Sequence, residues 1–278
     1  MDVSDGLEAI TIERRGGVVD AVIDHPPINL IDRTLFRDLA RLPDLVGAQP
    51  EARVLVLRSA NPDFFLAHFD VELILAAPTD GPAERSSELN PFHRMCERYR
   101  TMPIPTICEI AGRVGGGGGE LAASCDLRFG AAGHTALCQM EVPLGILPGG
   151  TGTQRLPALV GRGRALEIVL GGDDTDAATL ERWGWLNRAL ATRDELRAHV
   201  ARLAARIASF PPEAVSRAKA SVLNAAPDPT PGLVEEAFLF QETLRTEGAQ
   251  QRMRAFLERG GQTVDGERRV GALGADLG

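Results

Sequence analysis

Three stretches of this 278-residue chain combine ionisable side chains with backbone that can approach a ligand closely. The first is GRVGGGGGELAASCD, residues 112–126, in which five glycines, Gly115 to Gly119, lead into Glu120. Free N–H groups at the start of a helix point at any carbonyl oxygen or anion above them, and glycine lets that oxygen come near. Such a segment suits an oxyanion hole or a phosphate cradle. A flexible linker is the alternative, although linkers rarely lie between a buried strand and a buried helix. Glu120 by itself fits a solvated first-turn carboxylate, favoured by the helix macrodipole, as well as it fits a catalyst.

The second stretch is LCQMEVPLGILPGGTGTQRL, residues 137–156. Glu141 lies there among apolar residues, where burial would disfavour ionisation, although a glutamate at a strand end is commonly just solvated. The glycines of the following PGGTGTQ loop, Gly149 among them, again permit close backbone approach. Asp173 and Asp174 come about 20 residues later, but the GxGxxG spacing of a dinucleotide site is absent. The third stretch is NPDFFLAHFDVELI, residues 61–74. Asp70 is placed to cap a helix beginning at Val71, which is a purely structural role, and His68 alone fits a satisfied or surface histidine.

Elements must hold these stretches in place. EAITIER and VVDAVID, separated by Gly16 and Gly17, predict a hairpin. Leu35, Leu39 and Leu42 recur at helical spacing. RVLVLRS at 53–59 and PIPTICEIAG at 103–112 are the short, nearly continuous apolar runs of strands covered on both faces. Each is followed by a turn-like segment and then by helical pattern, the alternation of an α/β protein. Residues 76–92, with three prolines, predict a loop or lid. Beyond about residue 190 the pattern is helical, and from Gly260 the glycine-rich tail predicts fraying.

Composition limits the function. Thirty basic against 38 acidic residues leave a net charge of −8, a balance that repels phosphate backbones and anionic lipid, so nucleic acid is a poor partner. The N-terminal residues lack a basic, then apolar, signal pattern, and no run approaches the roughly 18 apolar residues of a membrane span. Four cysteines without a CxxC pair sit mostly in apolar runs, which fits a reduced, cytoplasmic setting.

Taken together, in order and at their spacing, the three stretches resemble the enoyl-CoA hydratase/isomerase, or crotonase, superfamily from about Leu7 to Arg259. The family's AGxDL segment is here Ala67, His68, Phe69, Asp70, Val71; its NGxAxGGGxELA segment is Ala111 to Ala122; its PExxLGxxPGxGGTQRL segment is Met140 to Leu156. The resemblance implies a spiral of ββα units, residues 1–195, and a helical region, residues 196–278, that packs trimers or dimers of trimers. It implies that the N–H groups of Phe69 and Gly117 hold a thioester carbonyl oxygen and that Glu120 and Glu141 are the paired catalytic carboxylates. Ala67, His68, Gly116 and Gly149 would flank the acyl group. Phe240, Phe256 and Arg259 would meet the nucleotide end of coenzyme A, from this subunit or its neighbour. No metal and no separate cofactor is implied, since coenzyme A arrives within the substrate.

Hydration of a 2-enoyl thioester explains these residue types. Charge builds on the carbonyl oxygen, so two N–H donors stabilise the enolate, while water addition asks for two carboxyl groups aimed at one water. His68 departs from the family, which usually has glycine there, and would narrow the acyl pocket or hydrogen-bond a polar acyl group. Other expectations remain open at this level: isomerisation, hydrolysis or C–C cleavage using His68, or a catalytically silent acyl-CoA-binding oligomer.

Overall fold

The computed structural model describes residues 6–277. Among them, the strands are β1 (Ile10–Arg15), β2 (Val18–Ile23), β3 (Val54–Ser59), β4 (Phe64–Leu66), β5 (Thr106–Ile110), β6 (Arg113–Gly115), β7 (Leu127–Ala131), β8 (Ala136–Cys138), β9 (Asp174–Asp176) and β10 (Arg188–Leu190). The helices are α1 (Arg33–Gly47), α2 (Val71–Leu75), α3 (Pro91–Thr101), α4 (Gly116–Ser124), α5 (Gly152–Val160), α6 (Arg162–Gly171), α7 (Ala177–Trp183), α8 (Arg193–Ala208), α9 (Pro212–Leu223), α10 (Thr230–Leu244), α11 (Glu247–Glu258), α12 (Val264–Glu267) and α13 (Val270–Ala275).

The hairpin forms where expected. Gly16 and Gly17 take φ of 56° and 84°, the left-handed pair that a two-residue hairpin turn demands, and β1 pairs with β2 from Ile10 opposite Ile23 to Arg15 opposite Val18. Asp32 caps α1 by accepting the Leu35 N–H at 2.9 Å, and Leu35, Leu39 and Leu42 are wholly buried. From β3 onward a unit repeats: one strand joins a six-stranded sheet ordered β1-β2-β3-β5-β7-β10, the next joins a four-stranded sheet ordered β4-β6-β8-β9, and helix follows. Successive units pair in parallel, which requires the long crossover that each helix supplies. The fold is therefore the expected spiral of ββα turns. Its first turn contributes only a single bridge to the region of the smaller sheet, Ile31 with Phe69.

Three expectations are corrected. The glycine run is not a loop before a helix; it is the first half of α4, and Glu120 lies past the first turn. Poor helix propensity is overridden because only glycine fits: a Cβ on Gly118 would meet Leu66 Cβ at 2.6 Å, and one on Gly119 would meet Leu137 Cδ1 at 2.7 Å. The division at residue 195 falls inside α8, which belongs to the sheet: Leu196, Val200 and Ala204 pack on Val54, Val56, Ile107 and Phe129. The tail does not fray. It folds into α12 and α13, and Val270, Leu273 and Leu277 join Leu144, Ile146, Leu244 and Phe256 in a second core. Residues 76–90 do lack helix and strand as expected, and there Arg85 pairs with Glu235 of α10. Among the described residues no helix is long and apolar enough to cross a membrane.

Truncating a buried leucine typically costs about 2–5 kcal/mol, so Leu273→Ala is expected to lower the denaturant midpoint clearly. A midpoint unchanged from the unaltered protein would mean that the tail is not part of the core.

Candidate active site

A cavity of about 430 Å³ opens between the spiral and the C-terminal helices. One wall is aromatic. Phe36 of α1 stacks on Phe92 of α3 with centroids 6.1 Å apart, and the Phe69 ring meets both edge-on at 6.1 and 5.9 Å. Leu73, Ile74, Leu144, Ile146 and Leu244 continue the apolar lining.

Backbone of Phe69 and Gly117 meets at one end. The Ile31 N–H donates to the His68 carbonyl at 2.9 Å and the Asp70 N–H to the Ile31 carbonyl at 3.2 Å. This bridge turns the intervening N–H of Phe69 to the other side, as strand geometry requires. Gly117 lies in the first turn of α4, where a backbone N–H has no partner within the helix. A Cβ on Gly117 would stand 3.3 Å from the Phe69 nitrogen and 3.1 Å from Phe92 Cζ, so the two N–H groups border one small gap that any side chain would fill.

Two carboxyl groups face the same cavity. Glu120 Oε1 accepts the N–H of Gly150 at 2.8 Å and of Gly152 at 2.7 Å, which leaves Oε2 for the cavity. Gly150 must be glycine because a Cβ there would fall 2.5 Å from that Oε2. Glu141, just after β8, has Oε1 at 3.2 Å from the Gln139 amide nitrogen, while its buried Oε2 has no partner. An orphaned buried oxygen is costly unless another molecule completes it. Burial pushes Glu120 well above the ordinary carboxyl range, reinforced by Glu141 and Glu236. Burial also raises Glu141, to about 7, against the opposing pull of its own backbone N–H and His68. Like charges in one dry site do not ionise independently, so the two titrate as a coupled pair.

The Glu120 cradle is itself clamped by Glu236 of α10. Its carboxylate accepts the Thr151 N–H at 2.7 Å and the Thr153 N–H at 2.9 Å, and pairs with the fully buried His93 at 3.0 Å. Thr151 is held at φ 126°, a strained conformation that persists only where surroundings enforce it.

The structure thus brings together Glu120, Glu141, Phe69, Gly117, His68, Gly149 and Phe240 along one cavity. The Phe240 ring belongs to the same chain and fills the space a Cβ on Gly149 would need, at 2.5 Å. Ala67 and Gly116 instead lie behind the lining: the Ala67 carbonyl accepts the Gly115 N–H at 3.0 Å, and Gly116 turns at φ 40° beneath His68 and Glu141. Phe256 is fully buried, its ring 5.8 Å from that of His68, so within this chain it cannot meet a nucleotide. Arg259, exposed at the end of α11, does not line the cavity.

His68 lines the cavity, so it can narrow it, but it is not placed to hydrogen-bond an acyl group, because both ring nitrogens are engaged within the chain, Nδ1 with the Phe69 carbonyl at 2.8 Å and Nε2 with Glu267 at 3.1 Å. Neither remains for an acyl substituent or for a proton relay. Phe36, Phe92, Glu236 and Glu267 were not singled out from the sequence. Glu236 carried a signal, three residues after Leu233 on the apolar face of α10; Glu267, in a glycine-rich tail, carried none.

Stacked ββα turns that bring two backbone N–H groups and two carboxyl groups to one cavity define the class of fold and site. The chain belongs to the enoyl-CoA hydratase/isomerase family, whose description matches residues 13–266 and whose members act on acyl-CoA thioesters. It is 38% identical over 259 residues to "Probable enoyl-CoA hydratase echA8" of Mycobacterium bovis, covering 91% of this chain and 96% of that protein. It is 30% identical over 246 residues to "Probable enoyl-CoA hydratase 2, mitochondrial" of Arabidopsis thaliana, covering 87% and 80%. A crystal structure from Streptomyces avermitilis, described as a "putative enoyl-CoA hydratase", superposes with a TM-score of 0.89 at 38% identity, covering 97% of this chain and 98% of that one.

The raised carboxyl groups set a direction for stability. A glutamate whose folded pKa stands near 7 rather than 4.5 favours the fold below pH 4.5, and that contribution, up to roughly 3 kcal/mol, is lost as pH rises through 7. Glu141→Gln, which cannot ionise, is therefore expected to gain melting temperature relative to the unaltered protein between pH 5 and pH 8. A difference constant across that range would contradict a buried, proton-holding Glu141.

Proposed function

We propose that this protein is a 2-enoyl-CoA hydratase that adds water across the α,β double bond of an acyl-CoA thioester. The observation that carries this reading is the pair Glu120 and Glu141, both buried, both raised, on one cavity with the Phe69 and Gly117 N–H groups. In the reading, the thioester oxygen takes the gap between the two N–H groups, and the enolate charge that develops there is stabilised by donors already in place. One carboxylate accepts a proton from water as its oxygen bonds to the β carbon, and the partner carboxyl group delivers a proton to the α carbon. The pair suits both tasks because burial raises both carboxyl groups above the ordinary carboxyl range, toward the pH at which protons must be given and taken. The fixed Glu120 Oε1 and the unpartnered Glu141 Oε2 favour water as the missing ligand. Hydrolysis or C–C cleavage through His68 is disfavoured by the engagement of both imidazole nitrogens, and simple isomerisation leaves one carboxyl group without a task.

Glu120→Gln and Glu141→Gln are each expected to lower kcat for 2-enoyl-CoA hydration by about 10²- to 10⁴-fold with acyl-CoA binding retained, read by loss of enoyl absorbance. A kcat within tenfold of the unaltered enzyme for either variant would remove that residue from the mechanism.

For assembly the proposal is a trimer or a dimer of trimers. Of the apolar side chains on α10 and α11, Leu233 and Phe256 are buried within the chain and give no reason for a partner, whereas Leu239 is 40% exposed. Further support comes from α9, which buries none of its residues, with Val222 on it 73% exposed, and from Leu166 and Leu170 of α6, 49% and 62% exposed. Exposed apolar helix faces of this kind mark association surfaces. Light scattering at micromolar concentration is expected to give a multiple of three chains; a monomeric mass would overturn the assembly.

A further inference from the structure

We propose that Glu267, on the C-terminal helix α12, is a positioning residue for the active site: it holds His68 as a doubly protonated imidazolium that braces the Phe69 loop and places a positive charge beside Glu141. This deepens the hydratase reading and, for its kinetic part, rests on it.

The geometry leaves little choice of protonation. His68 Nδ1 lies 2.8 Å from the Phe69 carbonyl oxygen, which only accepts. Nε2 lies 3.1 Å from Glu267 Oε1, an oxygen that also accepts the Gln262 N–H at 2.9 Å. Two acceptors on one imidazole call for two N–H donors, which is the imidazolium. Burial opposes that charge, but Glu267, its hydrogen bond and the Phe69 carbonyl outweigh burial and raise the imidazole's pKa. Glu267 is also buried, which disfavours its charge, yet His68 and the Gln262 N–H hold it below the ordinary range. Each ion is stable only because of the other.

The pair reaches the reacting groups through packing on three sides. A Cβ on Gly116 would meet His68 Cβ at 2.8 Å and Glu141 Oε1 at 2.9 Å, so His68 and Glu141 converge over one glycine. The Nδ1–H bond fixes the carbonyl of Phe69, the same residue whose N–H borders the Gly117 gap. Phe256 closes the third side. The charged and titratable groups facing the pair are Glu141 after β8, Cys138 of β8, and Arg113 of β6, which Asp174 holds at 2.5 Å. Asp70 connects through Gln262, whose amide donates to it at 3.1 Å and whose oxygen accepts the Val71 N–H at 2.7 Å. His68 itself sets a positive charge against Glu141 and draws that carboxyl group's pKa downward.

The test uses the full-length protein with isotopically labelled histidine, its His68 ring signals assigned by their loss in His68→Gln. His68 is expected to show two protonated ring nitrogens at pH 7.5 and to lose one at a midpoint at least one unit lower in Glu267→Gln, with Glu267→Asp intermediate. In kinetics, Glu267→Gln is expected to cut kcat on the order of tenfold with KM little changed and to shift the acidic limb of the pH profile upward. In a His68→Gln background the same change should have little further effect. An imidazole that is neutral at pH 7.5 in the unaltered protein, or a midpoint that Glu267→Gln leaves in place, overturns the proposal. The ring signals need no turnover, so absence of hydration in the unaltered protein would defeat the hydratase reading while the ion pair is still decided.

Discussion

Placing two carboxyl groups in the wall of one apolar cavity is expensive, and most of the structure around Glu120 and Glu141 exists to make it tolerable. Removed from water, neither can ionise at its ordinary pH, and each raises the cost for its neighbour. Glu120 is compensated by two backbone N–H groups from Gly150 and Gly152. That loop can present both N–H groups only because Thr151 is forced to φ 126°, and Glu236, reaching in from α10, supplies the force through the N–H groups on either side of Gly152. Glu141 is compensated less completely. The difference between them is what a proton-sharing pair needs: one carboxyl group fixed in place and one with an oxygen still unpaired.

The C-terminal third follows from the same constraint. Two buried histidine–glutamate pairs, His93 with Glu236 and His68 with Glu267, tie α10 and α12 to the segments of the spiral that line the cavity. Buried polar pairs contribute little net stability once desolvation is counted, but they fix orientation strongly, because removing one partner would leave the other unsatisfied in a dry interior. The helical region is thereby a structural completion of the cavity. Phe240 shows this directly by packing onto Gly149 from within the same chain.

The parts legible in the sequence are those set by local periodicity and by backbone chemistry. The Gly16–Gly17 hairpin, the leucine stripe of α1 and the buried runs of β3 and β5 carry period and turn signals that tertiary structure had no reason to override. The glycine run marked a place where backbone packs closely, as it does at Gly117 against Phe69 and Phe92, but its helical state was hidden, since propensity argues against helix and contact with Leu66 and Leu137 explains it. The tail misled for a related reason: Gly261, Gly271 and Gly274 read as flexibility, while each lies against a ring or chain that a Cβ would strike. Likewise His68 showed its unusual identity in the sequence and not its partner, because Glu267 lies 199 residues away and no local pattern links the two.

The central claim, that this cavity directs water onto an enoyl thioester, is tested most directly by isotope transfer. Incubation of the enzyme with crotonyl-CoA and longer 2-enoyl-CoA thioesters in ¹⁸O-labelled water, followed by mass spectrometry, locates the oxygen. The account requires a 3-hydroxyacyl-CoA product with the label on the β carbon and the thioester intact. Label in a released carboxylic acid, or a rearranged enoyl-CoA with no label, would contradict it.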